Sequence, residues 1–547
     1  MACGFIRHLL TALHRIPFLS PDFPKILQTV QGKLFRISNY LPNRVEGGID
    51  WMNKLTLKKW AACLSIAALS AGFTLPAQAK QEGYSTSQAA YKPSSNPAPL
   101  PVFKSSGKKD KTVGDNVRGP ADPSYIMDVK YDSKTHKLTG KMTVTFKNNV
   151  KNNLSELYFN LWGKADIFKE KGGSMDVSDI RVNGTKAAFE VKDTALHIQN
   201  LSLAKNRKAS VSMNFSVAFP EQQDRFGWYG DTVSMGNWFP ILSVYDEEGW
   251  NVDPYFNAGE SFYSLTGKYD VTVTTDRKQV IAATGTEEGK PRINGELATH
   301  RYKAENVRDF AMEMNPTYKI LSSKVNGVKV NVYYDDKYSK YAASLLESGI
   351  DSIELFSEKF GKYPWPELDV VSMEGWFGGM EYPQLVMISL NERRSQEWVK
   401  SVNAHEIGHQ WFYGIIGDNE YDEPWLDESF ASYAAALYDN SLDELNVPPL
   451  PDESYHVSSK VSDFTARGDE GINAYYYTIY DYGSTTLNDL RLEVGDDAFY
   501  KAMKAYFNEK KFGITTTKDF IAAMEKSTGQ DLSPFFRAHR VFPSDQY

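Results

Sequence analysis

Within Asn403-Ala404-His405-Glu406-Ile407-Gly408-His409-Gln410-Trp411-Phe412, two histidines stand four positions apart with a glutamate beside the first. On a helix, positions i and i+4 share a face, so His405 and His409 project into one space and Glu406 can point there as well. Two neutral imidazoles suit a catalytic zinc, and a carboxylate beside them can handle the proton of its water. Such a metal takes three protein ligands and keeps one position open, so a third donor is required. Glu428 is a candidate, with 18 residues between it and His409, in Pro424-Trp425-Leu426-Asp427-Glu428-Ser429-Phe430-Ala431. Pro424 suits a first helical position, which makes this a second helix able to face the first. Asp427 reads either as a residue that orients a ligand or as a surface residue of that helix.

These side chains need elements to hold them. The spacing predicts a helix over 396–413, with Val399 and Val402 on its inward side and Gly414 at its end. From about Asp336 onward the apolar period is helical, beginning with an amphipathic segment that runs to Phe360-Gly361. A short strand over 368–373 and an apolar run over 385–390 flank Gly378-Gly379-Met380-Glu381-Tyr382-Pro383. The rest is mainly helical, with Asp496 and Thr517 as N-caps and Gly513 and Gly529 as stops. Between about 124 and 334 the period is two, as in Val211, Met213, Phe215, Val217 and Phe219. That alternation predicts an antiparallel β domain with one face of each sheet solvated. Asn237-Trp238-Phe239-Pro240 and Glu248-Gly249-Trp250 are aromatic clusters whose expected role is packing rather than lining a cleft. The fold expected is α+β and multidomain: an N-terminal antiparallel β domain over 121–335, then a mainly helical catalytic domain over 336–547.

The 547 residues are 41% hydrophobic and 24% charged, which excludes wholesale disorder. A net charge of −8 and the lack of a Gly-rich phosphate loop give no reason to expect nucleic acid. Near the beginning, Met52-Asn53-Lys54-Leu55-Thr56-Leu57-Lys58-Lys59, an apolar run over 61–75 and Pro76-Ala77-Gln78-Ala79 have the form of a secretory signal with an Ala-x-Ala cleavage site. We therefore expect a signal peptide over 52–79, with Met52 as the start and residues 1–51 as translated leader. Glu46-Gly47-Gly48 can be encoded by a purine-rich ribosome-binding sequence just before it. The Ser-, Pro-, Lys- and Gly-rich stretch 80–120 reads as a flexible linker. Cleavage after Ala79 would remove both Cys3 and Cys63, so a metal site in the exported chain would have to use His, Asp or Glu. The expected location is extracellular, cell-surface or periplasmic, with no stable membrane span after cleavage.

Three motifs then carry a resemblance. His405-Glu406-Ile407-Gly408-His409-Gln410-Trp411-Phe412 followed by Trp425-Leu426-Asp427-Glu428-Ser429-Phe430-Ala431 resembles the aminopeptidase N family of zinc metallopeptidases. Gly378-Gly379-Met380-Glu381 is similar to that family's Gly-Ala-Met-Glu-Asn exopeptidase motif, and Tyr480-Asp481-Tyr482-Gly483-Ser484 to its Tyr-Glu-Lys-Gly segment. The resemblance implies a thermolysin-like catalytic domain with one zinc on His405, His409 and Glu428. It implies Glu406 as general base and then proton shuttle to the leaving amine, and Tyr480 as donor to the oxyanion, with Tyr475, Tyr476 and Tyr477 as rivals. It also implies a substrate-binding strand of Gly378, Gly379, Met380 and Glu381, with Glu381 on the free α-amine and the glycines leaving room for substrate backbone. Gly379, Tyr382 and Tyr482 stand where the family has Ala, Asn and Lys. No residue of the β domain is assigned to help grip the amine. The function implied is zinc-dependent removal of N-terminal residues from peptides with a free amine. The alternatives are a thermolysin-like endopeptidase, whose glutamate ligand sits in a different local motif, and a silent surface binding protein on the same scaffold.

Overall fold

The structure, a computed structural model, describes residues 119–542 except 151, 257 and 258. The expected leader, signal peptide and nearly all of the expected linker lie outside the described residues. The linker's last residues do not: Gly119 bridges to Tyr245, and Pro120 is buried.

Alternating side chains build the β region as expected. The strand Lys208–Ala218 buries every second residue, and it pairs antiparallel with both Lys137–Lys147 and Ser174–Val182 in a nine-stranded sheet. One pairing departs from the antiparallel expectation. Ala121–Asp132 runs parallel to Gly267–Asp276, because the intervening chain leaves to build other strands before returning beside the first. Trp238 and Phe239 are fully buried, and Phe239 packs edge-on against Tyr125 and Tyr269 of those two strands. The aromatic cluster around them is therefore core, not cleft lining.

The helical region has its own sheet of five strands, in the order Lys319–Val325, Val328–Tyr334, Glu367–Met373, Leu385–Ser389 and Gly379–Met380. Its first two strands lie before residue 335, so the sheet that carries the site begins earlier than the expected boundary. Their apolar alternation looks the same in either domain, and only the parallel pairing of Val330 with Leu368 assigns them. The helix Ser339–Lys359 packs against these strands and against the helix Gln396–Gly408. Asn403 ties the two helices, donating to the carbonyl of Leu345 (3.0 Å) and to Ser348 Oγ (2.8 Å).

Local ends differ from the sequence expectations in small, physical ways. The histidine helix stops at Gly408 rather than continuing to Tyr413, because the regular bonding breaks down there: Gln410 and Trp411 N–H reach back only three residues, to Ile407 O and Gly408 O, and Gly414, Ile415 and Ile416 reach back five, to His409, Gln410 and Trp411. Thr516, not Thr517, caps the helix Thr517–Thr528, in a reciprocal arrangement with Asp519. Gly495 precedes the helix that Asp496 opens, and Pro424 stands just before the helix Trp425–Tyr438. Gly529 ends its helix in the left-handed conformation, as expected. No helix among the described residues is long and apolar enough to cross a membrane.

Candidate active site

The end of the histidine helix faces the beginning of Trp425–Tyr438, and three donors meet there. His405 Nε2 and His409 Nε2 are 3.1 Å apart, and Glu428 Oε2 is 3.3 Å from the first and 3.4 Å from the second. Zinc with four donors at about 2.0–2.1 Å has donor–donor edges of about 3.3–3.4 Å. The triangle is thus one face of such a tetrahedron. Glu428 Oε2 is buried and accepts no hydrogen bond. Burial holds the His405 imidazole below its ordinary pKa, toward the neutral form a metal needs. The residues fit zinc, and all three line one cleft.

Asp427, one residue before the ligand, is buried with 1% of its side chain exposed, and its Oδ1 is bonded to His409 Nδ1. It orients the histidine so that Nε2 is left for the metal. The surface alternative for Asp427 is excluded. Ser429, one residue after the ligand, donates to the carbonyl of Ile479 at 2.6 Å. A Cβ at Gly483 would fall 2.0 Å from Ser429 Oγ, so the segment Tyr476–Tyr482 docks here only because residue 483 is glycine. That segment is a π-helix, wider than an α-helix. Its geometry puts the Tyr480 hydroxyl on Glu428 Oε1 and its ring parallel to His405, with centroids 6.0 Å apart. Of the rivals, only Tyr476 reaches the cleft, and it has no bond to a metal ligand. Tyr475 is buried near Gly259, Tyr477 donates to the carbonyl of Pro448, and Tyr476 lies 40% exposed on the cleft rim.

Glu381, Glu406 and His409 bring ligand atoms within 4.8 Å of one another, all buried. Burial pushes both carboxyls well above their usual range, and the neighbouring Glu260 charge adds to the rise at Glu381. Glu381 Oε1 and Glu260 Oε2 have no partner. Glu260 is the residue the sequence did not yield. It lies in an extended stretch between strands, where no period marks one acid from another, and folding alone brings it to Glu381. Its other oxygen binds Arg225, whose guanidinium lies over Phe262 (5.0 Å).

Of the expected substrate-binding strand, Gly378, Gly379 and Glu381 line the cleft. Met380 does not: it is fully buried, and its sulfur accepts from Arg225 Nη1 at 3.2 Å. A Cβ at Gly379 would lie 2.5 Å from the Glu406 carboxylate, so the space there serves the base rather than substrate backbone. Tyr382 turns away from the cleft into the β region. Its hydroxyl occupies the place of a side chain at Gly236 and donates to Asn237 Oδ1 (2.8 Å), and Asn237 in turn donates to Asp309 (2.8 Å). Gln410, fully buried, binds the same turn from the other side. It donates to the carbonyls of Glu381 (3.2 Å) and Tyr382 (3.1 Å) and accepts from Gln384 N–H (2.7 Å). The metal ligand His409 and the acid Glu381 are therefore joined through the residue next to His409.

The cleft encloses about 680 Å³. Among the described residues, the histidines outside the motif are engaged elsewhere: His197 with Glu156 and Glu190, His300 with Glu287, His539 with Asp489, His456 with Ser459, and His136 with Tyr131 and stacked on Trp228.

Residues 344–539 match the peptidase family M1 domain. Aminopeptidase N of Lactococcus lactis subsp. lactis is 28% identical over 236 residues, which are 38% of this chain and 28% of the relative. Aminopeptidase N of Lactobacillus helveticus is 24% identical over 438 residues, covering 72% of this chain and 49% of its own length. The chain therefore spans less than half the length of these relatives. The M1 zinc metallopeptidase from Deinococcus radiodurans shares the fold, with a TM-score of 0.58 and 17% identity, covering 77% of this chain and 95% of that one.

Proposed function

The chain belongs to the aminopeptidase N (M1) family of zinc metallopeptidases through residues 344–539, and we propose that it is an exported aminopeptidase that removes N-terminal residues from peptides. One observation carries the reading: Glu381, a buried carboxyl with an unpartnered oxygen, sits within 4.8 Å of Glu406 and His409, in the same cleft as the metal ligands. A dry carboxylate there needs a cation, and the free α-ammonium of a peptide supplies one at a fixed distance from the scissile bond. A blocked N-terminus would leave the charge unpaired. Glu260, with its own unpartnered oxygen, is the second group for that ammonium.

Zinc on His405, His409 and Glu428 supplies a Lewis acid for the scissile carbonyl and an activated water. Glu406 takes the proton of the attacking water and delivers it to the leaving amine. Tyr480, already donating to Glu428 Oε1, is placed to donate to the oxyanion as charge develops. Asp427 and Gln410 hold the two halves of the site in register.

The test compares peptides with free and acetylated N-termini, with and without a chelator, in wild type and Glu381→Ala. The reading expects cleavage of the free peptide only, loss with chelator, recovery with zinc, and a large loss in Glu381→Ala. Equal cleavage of the acetylated peptide would establish an endopeptidase, and no cleavage at any zinc level would establish a binding protein. Export is supported by the signal-like segment 52–79 and is checked by sequencing the N-terminus of the exported protein, with Lys80 expected first.

A further inference from the structure

The cleft lining contains two guanidinium groups. Arg225 is bonded to Glu260. Arg394 is different: its guanidinium lies over the Trp398 ring at 3.8 Å, its Nε–H has no acceptor, and no described residue accepts a hydrogen bond from its side chain. It is an uncommitted cation held by stacking and facing the space where substrate lies.

Its position along the cleft follows from the strand and the helix. Glu381 is close to His409 and Glu406, a Cβ at Gly379 would meet Glu406, and one at Gly378 would meet Val402 at 3.7 Å. Moving from Glu381 back to Gly378 therefore descends the histidine helix toward its N-terminus. Trp398, Val402, His405 and His409 share one face of that helix, and Arg394 lies over Trp398. A peptide with its amine at Glu381, laid along the strand, sends its C-terminal part toward Arg394. From His405 to Trp398 is about 10 Å of helix, which is about three residues of extended chain.

Resting on the aminopeptidase reading, we propose that Arg394 binds a substrate carboxylate on the leaving-group side of the scissile bond. Its natural ligand is the C-terminus of a peptide of about four residues, one before the scissile bond and about three after it. The substrate class is thus short peptides, gripped by the amine at Glu381 and by the carboxylate at Arg394.

The experiment uses tetra-alanine as the free acid and as the C-terminal amide, a tetrapeptide amide ending in aspartate, and alanine p-nitroanilide. In wild type the acid is expected to have a KM about tenfold below that of the amide, at similar kcat, from a charge-assisted hydrogen bond at a half-buried site. Arg394→Gln brings the two KM values together, and Arg394→Lys keeps part of the difference. If the aspartyl amide recovers the low KM, a side-chain carboxylate serves Arg394 as well as a terminal one. Equal KM values for acid and amide in wild type, or an unchanged ratio in Arg394→Gln, overturn the inference. Hydrolysis of alanine p-nitroanilide by wild type, which needs no carboxylate, shows in that case that the aminopeptidase reading still stands. No hydrolysis of any of these substrates by the zinc-loaded enzyme refutes that reading itself.

Discussion

Replacing Asp427 by asparagine removes a charge from the residue behind the metal ligand while keeping its shape. Asp427 Oδ1 is bonded to His409 Nδ1, and both side chains are 1% exposed, so solvent cannot take over the lost role. The asparagine oxygen still accepts the Nδ1 proton, but as a neutral partner. Hydrogen bonds to charged groups are worth about 1.5–3 kcal/mol and neutral ones about 0.5–1.5. The difference of about 1–1.5 kcal/mol is about a tenfold loss of zinc affinity, since 1.4 kcal/mol is tenfold. This lies at the lower edge of the 10–100-fold range for the outer partners of metal-binding histidines. Asp427→Ala loses the bond altogether and should approach the upper edge. The measurement is zinc affinity by competition with a chromophoric chelator, which reads the metal site without activity. Circular dichroism of the apoproteins confirms that both variants fold. A dissociation constant for Asp427→Asn within about twofold of wild type, in a folded protein, would refute the claim that the carboxylate supports His409.

Other substitutions separate the remaining parts. Tyr480→Phe removes the oxyanion donor and should lower kcat by about 10²–10³ with little change in KM, and steady-state kinetics at saturating zinc check this. Gln410→Met leaves the carbonyls of Glu381 and Tyr382 and the N–H of Gln384 without partners in a fully buried place. It should cost about 2–4 kcal/mol in urea unfolding and raise KM for free-amine peptides more than it lowers kcat. Glu313 lies far from the metal ligands in sequence, accepts from Tyr318 (2.5 Å) and Ser234 (3.2 Å), and is pushed by burial from 4.5 to about 8. Below pH 4.5 it is protonated in both the folded and unfolded chains. As pH rises toward 8 the unfolded chain sheds that proton and the folded one keeps it, so stability falls across this window. Glu313→Gln should therefore gain stability relative to wild type as pH rises from 5 to 8, and unfolding measured at both ends checks the sign.

What the sequence alone determined is the chemistry that depends on local spacing. Four residues put His405 and His409 on one helical face whatever the remainder of the chain does, and Glu406 follows from adjacency. Strict alternation announced the β region, and a helical period announced the catalytic part. The limits appeared where neighbours in space are distant in sequence. The strands at 319–334 were indistinguishable from those of the β domain until Leu368 paired with Val330. Four tyrosines within six positions could not be ranked by sequence, because a π-helix has a different angular step from an α-helix and it was Ser429 and Gly483 that seated it. Asp427 looked like either a surface or an orienting residue until the second helix docked and buried it. Glu260 and Arg394 carry no local signal at all. A carboxylate or a guanidinium becomes functional through what it is left without, and only the tertiary structure decides which buried oxygen lacks a donor and which cation lacks a partner.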